Sequence, residues 1–428
     1  MTGFSWFQIA RLGLVQMALG AIIVLTTSTL NRLMVLEFSL PAILPGALVA
    51  FHYGIQLSRP RWGFMSDTGG SRTRWIIAGM AVLALGGFLA AYGVTLFTVS
   101  YAAGLTMSVV AYALIGLGVG ASGTSLLALL ASGTAPRRRA AAATITWLMM
   151  IFGIAATAIT VGSFLDPYSP TRLLVVVAVV VSLAFALTVV AVGRIEDGVT
   201  ALPAEPATPF LVGLREIWAE RRARNFTIFV FLSMNAYFMQ ELILEPFAGL
   251  VFDFSLGEST ALSGAQNGGV FMGMLLVGVL ATGFRIGSLR AWVVAGCLGS
   301  ALTLNIIALT GIGSLALPLT PLVVLLGAFN GMFAVAAIGS MMALASEGRH
   351  GRTGTRMGLW GAAQAIAAGF GGLAGAAAVD LLRMSMSDGQ AFGSVFAVEA
   401  ALFLAAAAMA ARIMTTQAAP RGAAVPGE

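Results

Sequence analysis

The chain of 428 residues is 59% hydrophobic and only 9% charged, where a soluble domain carries roughly 25% charged residues. So few charges cannot cover a water-exposed surface of this size, which excludes a soluble globular protein and makes lipid the main solvent. The formal net charge of +6 rests on 23 arginines with no lysine, and their placement along the chain, given below, leaves nothing for a nucleic-acid partner to explain.

A membrane-crossing helix needs about 20 apolar residues to pass ~30 Å of hydrocarbon. Apolar runs of that length predict twelve spans, at 12–31, 41–58, 75–97, 103–130, 139–162, 171–193, 225–250, 262–284, 291–312, 317–345, 356–379 and 391–411. The first follows Met1 to Arg11 without a small-residue cleavage site and is expected to be a retained helix. The runs are too long and too apolar all round for barrel strands.

Asn31-Arg32-Leu-Met-Val-Leu-Glu37 follows span one, placing Arg32 and Glu37 at a membrane boundary. Span two holds His52, flanked by Phe51 and Tyr53. A packing histidine is the favoured reading; the other is an axial ligand to the magnesium of a chlorophyll-type pigment. Between spans two and three stands Gly63-Phe-Met-Ser-Asp67-Thr-Gly-Gly70-Ser-Arg72-Thr-Arg74. Gly63 permits close helix approach and Gly70 a tight turn, while Asp67 can sit at a helix end and pair with an arginine from a neighbouring helix, latching one conformation.

The polar connection 194–224 contains Pro203, Pro206 and Pro209, then an amphipathic stretch with Phe210, Leu211, Leu214, Ile217 and Trp218 at helical spacing. It is expected to lie in the membrane interface, with a partner-docking helix as the alternative. Span seven carries Gln240, Glu241 and Glu245 ahead of Pro246. Four residues apart, the two carboxylates are expected on one helix face. They either relay protons or pair with Arg32, and pairing is favoured because spans one and seven are pseudo-equivalent neighbours. The loop Gly283 to Arg290 keeps glycines and arginines but has no aspartate, so any latch there is expected to be weaker. Glu399 lies near the middle of span twelve, where a charge costs about 2.5–3.5 kcal/mol on insertion scales. Asn235, Asn305, Asn330 and Gln364 are expected to join helices by hydrogen bonds.

Counted in alternate loops, 20 arginines fall on one side and three, Arg32, Arg172 and Arg383, on the other. The positive-inside rule then puts both termini in the cytoplasm. The organisation expected is a six-helix half at 1–193, a cytoplasmic linker at 194–224, a second six-helix half at 225–412 and a tail at 413–428. Internal matches such as Arg137 to Trp147 and Arg352 to Trp360 support duplication. The glycine-aspartate-arginine motif and the paired halves resemble the major facilitator superfamily, implying an all-α membrane fold.

No Walker loop, GxSxG, metal-spaced His and Cys cluster or paired D-x3-D is present, so no catalytic role and no metal site are expected. Three segments together, Asn31 to Glu37, Gln240-Glu241-Leu-Ile-Leu-Glu245-Pro246-Phe-Ala-Gly249 and Gly358-Leu-Trp360-Gly-Ala-Ala-Gln364-Ala-Ile-Ala, resemble the PucC/LhaA family, the bacteriochlorophyll-delivery branch of that superfamily. Within it the chain is similar to the member encoded beside bacteriochlorophyll-synthesis genes. The resemblance implies a factor of the bacterial inner membrane that assembles light-harvesting complexes, with bacteriochlorophyll as bound cargo instead of a resident cofactor. The implied partners are lipid, bacteriochlorophyll or a precursor, antenna polypeptides and the bacteriochlorophyll synthase. The alternatives left open are a proton-coupled transporter of a hydrophobic small molecule and a subunit of that synthase.

Overall fold

The structure, a computed structural model, describes residues 3–30, 33–34, 38, 40, 43–165, 168–196, 209–254, 256–347 and 352–414. The regular elements among them are all helical. Helix α1 (Trp6–Val24) starts at a capping box, Ser5 Oγ accepting from Gln8 N–H while Gln8 Oε1 accepts from Ser5 N–H. It is followed by α2 (Ile43–Ile55), α3 (Arg59–Thr68), α4 (Arg72–Leu96), α5 (Tyr101–Gly133), α6 (Arg139–Phe164) and α7 (Pro170–Val192). The linker contributes α8 (Phe210–Ala219). Then come α9 (Arg221–Met239), α10 (Leu244–Phe252), α11 (Leu256–Gly278), α12 (Leu289–Gly311), α13 (Leu319–Glu347), α14 (Thr353–Arg383) and α15 (Asp388–Ile413).

Among the described residues ten helices are long and apolar enough to cross a membrane, and α9 with α10, bent by 45°, makes up to an eleventh. The second expected span differs from the others. Its helix α2 has only 13 residues and reaches membrane length by running through a tight turn, Gln56–Ser58, into α3. The outward faces are apolar as lipid requires: Leu183 is 64% exposed, Val190 73% and Leu302 63%.

In the first half α1 packs on α6 and α7, α4 on α5 and α7, and α2 on α5. The second half repeats these pairings: α9 packs on α14 and α15, α12 on α13 and α15, and α11 on α13. Helix for helix, α6 therefore corresponds to α14, and the α3–α4 turn to the α11–α12 loop. Two seams join the halves, α2 and α3 against α14, and α6 against α11 and α13, with α5 packing on α14 and α13 between them.

The arginines cluster at one end of the bundle. There Arg11 Nε donates to Ala191 O at 2.9 Å, placing a cation on the C-terminal carbonyls of α7. At the same end Glu196 takes up the start of α4, accepting from Ser71 Oγ at 2.6 Å, Arg72 N–H at 3.0 Å and Thr73 N–H at 3.1 Å. Burial raises the Glu196 carboxyl, but these hydrogen bonds outweigh it and hold it below the usual carboxylate range.

Candidate functional site

The first seam is built around Asp67, whose side chain is 1% exposed. Its Oδ1 accepts from Gly354 N–H at 2.7 Å and its Oδ2 from Thr355 N–H at 2.9 Å and Thr355 Oγ1 at 3.1 Å. These donors are the first turn of α14, where four backbone N–H groups lack helical partners and the helix dipole is positive. The carboxylate thus meets a helix start from the other half of the molecule. Arg72 Nη2 donates to Asp67 Oδ1 at 3.0 Å, and Arg72 Nη1 to Ala128 O at 3.1 Å.

The arginine expected from a neighbouring helix is Arg72, at the start of α4 and five residues on from Asp67 at the end of α3, while the partner across the seam is backbone. Arg74 is exposed. A Cβ on Gly63 would fall onto the carbonyl of Gly354, so the two chains meet backbone to backbone there. Gly70 takes φ +76°, the left-handed conformation that turns α3 into α4.

Helix α8 clamps the same place. Phe64 and Phe210 have ring centroids 5.6 Å apart, and Arg352 and Arg356 pair with Glu216 and Glu220. Of the apolar face read from the sequence, Ile217 is buried and Phe210 and Leu214 half-buried against the protein, while Leu211 and Trp218 stay exposed. The linker helix therefore docks on its own chain with one edge turned outward. Sequence reasoning missed Gly354, Thr355, Glu196, Glu216 and Glu220. The one signal was the arginine pair opening the repeat at 352–360.

The polar residues of span seven do not form the expected face. The helix breaks between Glu241 and Glu245, through a tight turn at Gln240–Leu242 and the bend into α10. Pro246 then falls in the first turn of α10, where its missing N–H has no helical partner to lose. Glu245 Oε1 accepts from Ser263 Oγ of α11 at 2.7 Å, Glu241 is exposed, and Gln240 is buried with its Oε1 unpartnered. Arg32 and Glu37 lie outside the described residues, and so does the proposed pairing with Arg32.

His52 Nδ1 lies 2.7 Å from Val49 O, and a carbonyl only accepts, so Nδ1 carries a proton. The residue is 2% exposed and stacks on Tyr53. Glu399 is fully buried in α15, and neither of its carboxyl oxygens has a hydrogen-bond partner among the described residues. Of the four amides expected to join helices, Asn330 does so, accepting from Ser300 Oγ at 2.8 Å. Asn305 instead bonds its own helix at Ala301 O, and Asn235 Nδ2 turns to Met239 of its own helix.

On the membrane face of the first half, α1, α6 and α7 enclose an apolar groove of about 250 Å³. Small residues (Ala21, Gly153 and Ala156) give it depth, and Met17, Phe152 and Leu183 form its walls.

Comparison with known proteins places this architecture. The chain is similar to solved transporters over nearly its full length. A bacterial homologue of the iron transporter ferroportin in its outward-facing state superposes with a TM-score of 0.75 at 14% identity, covering 96% of this chain and 99% of that one. The transporter FucP of the major facilitator superfamily, in its outward conformation, gives 0.68 at 15% identity, covering 96% and 98%. These likenesses show the fold. In sequence, the chain is 64% identical over 419 residues to the bacteriochlorophyll synthase 44.5 kDa chain of Rhodobacter capsulatus, covering 97% of each. It is 30% identical to Protein PucC of Cereibacter sphaeroides, covering 93% of this chain and 90% of that one. Residues 29–418 match the PUCC protein family. With the fold of the major facilitator superfamily and this match across nearly all its length, the chain belongs to the PUCC protein family.

Proposed function

We propose that this chain is a non-enzymatic membrane factor for assembly of photosynthetic light-harvesting complexes, binding or delivering bacteriochlorophyll, antenna polypeptides or both. The observation that carries the bacteriochlorophyll link is the 64% identity, across 97% of both chains, to a Rhodobacter capsulatus protein named as a chain of bacteriochlorophyll synthase, and the assembly role rests on the likeness to the PUCC protein family over residues 29–418. The geometry is suited to it. The groove between α1, α6 and α7 is apolar, opens sideways to lipid and is floored by small residues, as an isoprenoid tail or a packing helix requires. The protein sits in the bacterial inner membrane with both termini cytoplasmic, the side the arginine bias selects. Deleting the gene should lower assembled antenna while free pigment synthesis continues. Unchanged antenna in the deletion strain would rule the reading out.

Glu399 favours a second reading, a proton-coupled transporter of a hydrophobic small molecule. A fully buried carboxyl without an internal partner is where such a protein would carry its proton. Flux into proteoliposomes driven by a pH gradient and abolished in Glu399→Gln would establish it, and no flux under any gradient would dismiss it.

A further inference from the structure

We propose that the outward edge of the linker helix α8 seats in the anionic headgroup layer of the membrane at the arginine-rich end, and that this seat holds the first seam closed. The apolar face of α8 is divided in the structure. Phe210, Leu214 and Ile217 turn to the protein, while Leu211 and Trp218 stay exposed, and so does Arg215. Leu211, Arg215 and Trp218 follow one another at spacings of four and three, so they form a single stripe along the helix. The charges divide in the same way. Glu216 and Glu220 turn to Arg352 and Arg356 of α14, whereas Arg215 makes no ion pair among the described residues. The outer stripe is left basic and apolar, and the exposed Arg221 follows it. A leucine and a tryptophan on either side of a guanidinium match a lipid interface, where apolar bodies enter the acyl boundary and the cation meets phosphate.

The start of α1 gives an independent mark of where that layer runs. Trp6 and Phe7 are exposed at the same end, with Arg138 5.0 Å from the centre of the Trp6 ring and Arg11 5.9 Å from that of Phe7. Exposed aromatic rings beside arginines sit at the level of a membrane–water interface. The seat has a consequence because α8 bridges the two halves. Phe210 meets Phe64 of α3, and Glu216 and Glu220 hold the start of α14, next to the Gly354 and Thr355 N–H groups that Asp67 accepts from. Parting the halves here requires α8 to leave one of them. A helix held flat in the headgroup layer opposes that, and more strongly as anionic lipid increases. None of this depends on whether pigment is bound.

The test follows amide exchange by mass spectrometry in the full chain, reconstituted in vesicles of phosphatidylcholine with or without phosphatidylglycerol. Phosphatidylglycerol is expected to slow exchange about tenfold over 210–219, and by a smaller factor at Gly354 and Thr355. Raising the salt should remove most of that protection. In Arg215→Gln/Trp218→Gln the lipid effect should vanish, while Arg74→Gln, at an exposed arginine of the same end but on α4, should keep it. Should the double variant not accumulate, the parent decides: protection that persists at high salt would overturn the proposal. Equal exchange in the two lipids, a lipid effect that survives in the double variant, or an equal loss in Arg74→Gln would also overturn it. Protection over 210–219 in native membranes but in neither vesicle would assign the edge to a protein partner and count against the lipid seat in the same way.

Discussion

The two seams share one packing plan and differ in the residues gathered at their helix starts. At the first, Asp67 brings a carboxylate to the start of α14, and Glu196 does the same for α4. At the second, the starts of α6 and α12 face arginines around a cavity. A helix start needs acceptors for its free N–H groups. The chain provides them with carboxylates at the starts of α14 and α4, and with the neutral Ser288 hydroxyl, accepting from Ala291 N–H at 3.1 Å, at the start of α12. A duplicated fold can thus keep its packing plan while only one of the two corresponding loops carries an aspartate.

The strongest way to break the first seam is Gly63→Leu. Its side chain would fall on the Gly354 backbone, which cannot yield as a flexible side chain does, so overpacking should cost about 3 kcal/mol. Thermal unfolding in detergent should drop by several degrees, and an unchanged midpoint would mean the seam is open. Next is Asp67→Asn, which keeps the shape but removes the charge, at about 2 kcal/mol. Amide exchange at Gly354 and Thr355 should speed up, and unaltered protection there would refute the latch.

Glu196→Gln should cost about 1 kcal/mol at neutral pH, the usual scale of a helix cap. Because the folded carboxyl titrates below its ordinary 4.5, its contribution is full above that value and is lost as the pH falls through the lower folded-state value. The stability gap between variant and parent should therefore close on acidification. A gap that is the same at every pH would show that the charge is not what matters. The smallest effect belongs to Glu216, 41% exposed, whose pairing with Arg352 should be worth about 0.5 kcal/mol in a double-mutant cycle.

Much of the fold was legible because a lipid-embedded chain declares its spans through length and apolarity. The second span was legible as apolar but not as a short α2 continued by α3, since the polar residues from Arg59 onward read as loop. The break in span seven was signalled by Pro246, but it opens at Gln240, earlier than the proline itself requires, and so separates Glu241 from Glu245. Asp67 could be singled out from its motif. Its partners could not, because Gly354 and Thr355 are 287 and 288 residues away and offer backbone N–H groups, which leave no mark in side-chain chemistry. Asn305 and Asn330 are the same residue type in neighbouring spans, yet only Asn330 has a serine opposite it. Register between helices decides that, and composition does not carry it.

The most direct test of the proposed role is the near-infrared absorption spectrum of the chain purified in mild detergent from a cell that makes bacteriochlorophyll. Whether pigment is held directly or arrives with antenna polypeptides, a stoichiometric near-infrared band should co-purify. A chain obtained folded and free of that band would contradict the account.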